Sequence, residues 1–102
     1  MKEFLERLRG KIFKLLPMRE DSDNGEQNYL KRYLVNLTSS YDGMLLNYPK
    51  LKEISSIIEV QNNLASMREN PCLEFDSWRA TVLRSVRLID EVIQKENWGM
   101  FV

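Results

Sequence analysis

From its first residues the chain repeats apolar positions with a helical rhythm. Phe4, Leu5, Leu8, Ile12, Leu15 and Leu16 recur at that spacing, and at about 100° per residue they fall on one arc, with Glu3, Glu6, Arg7 and Lys14 opposite. The pattern predicts a strongly amphipathic helix that stops at Pro17, whose ring disfavours helix in the residue before it and removes a backbone donor. Arg9 and Lys11 border the arc, where their stems can lie on apolar surface while the charges stay in water.

A second rhythm begins after residue 28. Leu30, Leu34, Leu37, Tyr41, Met44 and Tyr48 follow one another at steps of four, three, four, three and four, a heptad-like seam that Tyr29, Tyr33 and Leu45 widen into a core-facing side. The seam predicts one helix, with Gly43 in "SSYDGM" as the place where it would bend. Pro49 suits a first helical position, and Leu51, Ile54, Ile57, Ile58, Leu64 and Ala65 share a face interrupted by Gln61, so a third helix is expected from Pro49 to about Asn70. In the last segment Trp78, Val82, Val86, Ile89 and Ile93 form a stripe at steps of four, four, three and four, with Asp76 as the expected N-cap.

Short connections between consecutive helices favour antiparallel neighbours. The expected fold is therefore all-α: an antiparallel up-and-down bundle of four helices, whose N-terminal amphipathic helix is packed on the rest, detached or exchanged with another copy. By residue number, 1–17 form the amphipathic basic helix, 18–28 an acidic hinge, 29–97 the bundle core and 98–102 an apolar tail. At 102 residues folding hides only about 60 to 65% of the extended chain's surface, so association with a partner or a second copy is a physical expectation.

Charge changes this picture little. Lys and Arg total 15 and so do Asp and Glu, but residues 1–19 hold six bases against two Glu, and residues 20–28 hold four acids and no base. Because the basic excess is confined to the first helix, nucleic-acid binding is not expected. The acidic stretch "REDSDNGEQ" fails as a calcium loop: with Gly25 in sixth place the twelfth residue is Lys31, a cation where a bidentate Glu is needed. A solvated hinge turning at Asn24-Gly25 is the expected role.

Catalytic chemistry has few footholds. There is no His, so the commonest general base is missing, and no cofactor or metal site is expected. Asp90 and Glu91 are adjacent and point about 100° apart on a helix, so they do not converge on one substrate. Ser39-Ser40 and Ser55-Ser56 lack a glycine-rich elbow. Cys72 alone cannot close an internal disulfide, and no uninterrupted apolar run marks a secretory signal or a membrane span, so a cytoplasmic location is expected. Arg79, Arg84 and Arg87 project opposite the apolar stripe of the last helix as a solvated face, with Glu91 four residues after Arg87.

The residues thus point to a small non-catalytic protein-interaction module, an adaptor or inhibitor, that binds a protein partner or itself through leftover apolar surface. Phe4, Leu8, Ile12, Trp98 and Phe101 are the expected anchors. A competing reading lays residues 1–16 on a membrane surface, which Glu3 and Glu6 oppose on anionic lipid. Bacterial immunity proteins and phage-encoded regulatory factors are a third, an analogy of architecture alone.

Overall fold

A computed structural model describes residues 2–20, 28–70 and 74–95. Among these the chain is helical with no strand: α1 (Lys2–Phe13), α2 (Leu15–Glu20), α3 (Asn28–Asn47), a 3₁₀ turn (Pro49–Glu53), α4 (Ser55–Glu69) and α5 (Phe75–Lys95). Only Lys14 separates α1 from α2, so the two act as one broken helix and the architecture is a four-helix bundle. Side-chain contacts give the directions. Arg68 of α4 donates to Thr38 of α3, while nearer the other end the Tyr41 hydroxyl donates to the Ile57 carbonyl, so α3 and α4 are antiparallel. On α5, Trp78 Nε1 donates to the Leu15 carbonyl and Asp90 pairs with Arg9, which sets α1 and α2 antiparallel to α5 as well.

One core joins all four limbs. Leu5, Leu8, Ile12 and Leu15, Leu34, Tyr41 and Leu45 of α3, Ile57, Val60 and Leu64 of α4, and Trp78, Val82, Ile89 and Val92 of α5 share one buried cluster, in which α1 packs chiefly on α5 and α3 chiefly on α4. The N-terminal helix is therefore packed, neither detached nor exchanged. Hiding its four aliphatic side chains, Leu5, Leu8, Ile12 and Leu15, contributes about 6–12 kcal/mol, which no solvated alternative for this helix offers.

Three local expectations are corrected. Helix does not stop at Pro17; it breaks at Lys14 and resumes to Glu20. A proline ring clashes with the carbonyl four residues earlier, here that of Phe13, and the break there puts Pro17 in the first turn of α2, where N–H groups lack helical partners anyway. The third segment also divides. Bonds from Leu51 N–H to the Tyr48 carbonyl and from Ile54 N–H to that of Leu51 wind a 3₁₀ turn, and Ile54 is extended (φ −93°, ψ 111°) before α4 starts. Three residues per turn turns Leu51 inward for full burial, with Ile54 against the core. Finally, Trp78 N–H bonds the Glu74 carbonyl, so α5 opens at Phe75 and Asp76 lies in its first turn, favouring the positive end of the helix rather than capping it.

Helix α3 is continuous through Gly43, as expected. Its seam is buried from Leu30 to Met44, but Tyr48 lies beyond the helix at 39% exposure and Tyr29 faces solvent.

Candidate functional site

Two faces of α3 share one rhythm. One residue before each seam position stand Tyr29, Tyr33, Asn36, Ser40, Gly43 and Asn47, again at steps of four, three, four, three and four. From Tyr33 onward this second row looks toward α1, and α1 leans on α5 instead. The Tyr33 hydroxyl reaches across to the Lys11 carbonyl (2.8 Å). Toward the other end, small residues replace tyrosines and the helices are not bridged.

Two adjoining clefts result, sharing Ser40. The narrower, about 170 Å³, is lined by Lys11, Tyr33, Asn36, Leu37 and Ser40. The wider, about 420 Å³, lies between Phe4 of α1 and Ser40, Gly43, Met44, Asn47 and Tyr48. Gly43 makes part of its floor, and a Cβ added there would meet nothing within 4 Å. Phe4, Met44 and Tyr48 give the wide end apolar walls, whereas Asn36, Ser40 and Asn47 present polar groups that bond no side chain or backbone among the described residues.

Electrostatics distinguish this groove from the rest of the surface. Arg9 is paired with Asp90, and Arg84 grips Glu59 through two hydrogen bonds, one of them 3.0 Å. The hydrogen bond from Arg84 holds the Glu59 carboxyl below its ordinary pKa, with the guanidinium charge adding to the effect, and Glu59 in turn raises Arg84. Lys11 at the narrow end has no carboxylate partner among the described residues. Burial, and then the neighbouring Tyr29, raises the Tyr33 phenol, and burial alone raises Tyr41 well above its ordinary value. Each of these shifts moves a group further from neutral pH, so none of the four is tuned as an acid or base there.

A third cleft, about 310 Å³ between α3 and α4, contains Thr38, Asp42, Gln61 and Arg68. Its polar groups satisfy one another: Gln61 Nε2 donates to Asp42 (2.9 Å) and Arg68 to Thr38 (3.2 Å). Its side chains thus bridge α3 and α4, whereas those of Ser40 and Asn47 bridge nothing among the described residues. Among the described residues no group of three or more His, Cys, Asp or Glu could hold a metal ion.

Of the anchors expected from sequence, Phe4 stands at the wide cleft, partly buried against the core. Leu8 and Ile12 do not face outward; at 1% and 0% exposure they belong to the core, because α5 takes the apolar arc that an outside partner would have used. Trp98 and Phe101, Cys72 and the turn at Asn24-Gly25 lie outside the described residues. Asp90 is engaged by Arg9 and by Gln94, and Arg84 by Glu59, whereas Arg79 and Arg87 are exposed. The residues missed were Ser40, Gly43 and Asn47. Their signal was the second row on α3, which repeats the seam's period with side chains too small to close an interface.

Compared with known protein families, curated proteins and solved structures, the chain matches none. No described helix is long and apolar enough to cross a membrane.

Proposed function

We propose that this chain is a small non-catalytic interaction module of the cytoplasm, an adaptor or inhibitor, that receives an apolar side chain of a protein partner in the α1–α3 groove. The carrying observation is the wide cleft itself: an apolar slot between Phe4, Met44 and Tyr48, edged by Ser40 and Asn47, whose side chains have no partner among the described residues. An interface core of this kind, apolar in the middle and polar at the rim, is what protein partners recognise. Unlike the earlier expectation, the contact surface excludes Leu8 and Ile12 and keeps Phe4.

Packing argues against the membrane reading. For α1 to lie in a headgroup layer it would have to leave α5 and expose Leu5, Leu8, Ile12 and Leu15, giving up about 6–12 kcal/mol before any lipid contact is made.

The test is quantitative affinity capture from the native host with wild type and Gly43→Arg, which fills the cleft from a position where a Cβ has room. Proteins held by wild type and lost with the variant support the reading. Identical capture by both chains removes the groove as the binding surface. Light scattering on the same samples reports whether the bound partner is a second copy.

A further inference from the structure

We infer that the partner segment received by the α1–α3 groove is acidic: its apolar anchor fills the wide cleft, and its carboxylates lie about 10 Å further along, on Lys11 and the bases that flank it. The inference rests on the reading of the groove as the binding surface and adds the chemistry of the partner.

The narrow end of the groove carries the charge. The Lys11 carbonyl accepts the Tyr33 hydroxyl at 2.8 Å, which fixes Lys11 at the groove, while its ammonium has no carboxylate partner among the described residues. Lys14 N–H still bonds the Gly10 carbonyl, so the helical winding holds as far as Lys14. At about 100° per residue, Arg7 stands about 40° and Lys14 about 60° from Lys11, both on its solvent side. Across the groove, Arg32 comes one turn before Asn36, which lines the narrow cleft. All four bases are exposed, and none is ion-paired among the described residues.

The acids of these two helices lie elsewhere. Those of α1 are Glu3 and Glu6, both ahead of Arg7, and Glu3 adjoins Phe4 at the wide end. The one acid of α3, Asp42, accepts from Gln61 on the α4 side. Positive charge therefore increases along the groove from Phe4 toward Lys11, and this polarity orients the partner, anchor at one end and carboxylates at the other. Exposed pairs of this kind select and steer a partner more than they hold it, so the apolar anchor supplies the affinity and the bases the choice. A nucleic acid or a lipid surface fits less well, because its charges repeat along its length, whereas here the bases end at Arg7 and give way to an apolar slot beside Glu3.

The experiment selects a displayed library of random peptides on the full chain, the peptides being about 12 residues long, enough as a helix to span Phe4 to Lys14. Peptides retained by wild type and rejected by Gly43→Leu, which fills the cleft without adding charge, should hold roughly threefold more Asp and Glu than Lys and Arg. Combined Lys11→Glu and Lys14→Glu should invert that preference, and the milder Lys11→Gln with Lys14→Gln should erase it, thermal melts confirming that each variant is folded. Binding of a selected peptide should weaken roughly tenfold in about 1 M salt. A retained pool with no acidic preference, or one that charge reversal leaves unchanged, overturns the inference while the docking function stands. Identical pools from wild type and Gly43→Leu remove the groove itself. Tighter binding of a single-stranded oligonucleotide or of phosphatidylserine vesicles, lost on charge reversal, overturns the acidic segment in favour of a polyanion, and self-association in light scattering that Gly43→Leu abolishes overturns it in favour of a second copy.

Discussion

The two edges of α1 are made of the same helix and behave oppositely. Against α5 its Leu5, Leu8 and Ile12 are fully enclosed, an ion pair joins Arg9 to Asp90, and Trp78 donates to the Leu15 carbonyl. Against α3 the one hydrogen bond among the described residues is that of Tyr33, and a cleft of about 420 Å³ opens beside Phe4. What differs is the partner's side chains. Helix α5 offers Trp78, Val82, Ile89 and Val92, which reach across an interaxial gap of about 8–10 Å, whereas Ser40, Gly43 and Asn47 of α3 cannot. A tight seam stores stability, and an open one leaves apolar walls without a neighbour to cover them.

The largest effect separates the two edges directly. Leu8→Ala should cost about 2–5 kcal/mol in urea unfolding, the usual cost of a cavity in a closed core. Phe4→Ala removes a ring from the open edge and should cost well under half as much. Equal costs for the two would mean that the edges do not differ.

A smaller effect comes from the two helical glycines that border neither side of the tight seam. A Cβ has room at both Gly10 and Gly43. Gly10→Ala, on the exposed face of α1, should raise stability by about 0.5–1 kcal/mol through helix propensity and lost unfolded-state entropy. Gly43→Ala has the same propensity gain, and because its Cβ enters an open groove it should gain about as much. A loss at Gly43 in thermal melts would mean that the α1–α3 edge is closed like the α1–α5 edge.

The smallest effect uses an edge remote from α1 as a reference. Glu59 is held below its ordinary pKa of 4.5 by Arg84, so the pair favours the folded state above that value and the contribution is lost as pH falls through the lowered one. Because the pair is exposed, the effect is small. Wild type should be slightly more stable than Glu59→Gln at pH 7, and the two should converge on acidification below pH 4.5. A gap that widens in acid would contradict the sign.

Much of the fold was legible because helical period and burial are tied together residue by residue. The stripe from Trp78 to Ile93 and the seam from Leu30 to Met44 are the core, and α4 ends at Glu69, one residue before the expected Asn70. Boundaries were harder. Pro17 acted four residues upstream, on the Phe13 carbonyl, and Leu51 with Ile54 favoured a 3₁₀ turn over a longer helix, since both effects depend on which backbone groups the surrounding helices leave free. The candidate site was the least legible part, because Ser40, Gly43 and Asn47 carry no apolar signal and become walls only when α1 stands beside them.

By itself, then, the sequence determined that four apolar helical stripes would have to meet, since each must leave water and none can do so alone. Only the tertiary structure decided which stripe met which. Helix α1 can present its arc to one neighbour at full depth, and α5 supplied the larger side chains. The pairing that buried Leu8 and Ile12 is what left Phe4 at the rim of an open groove.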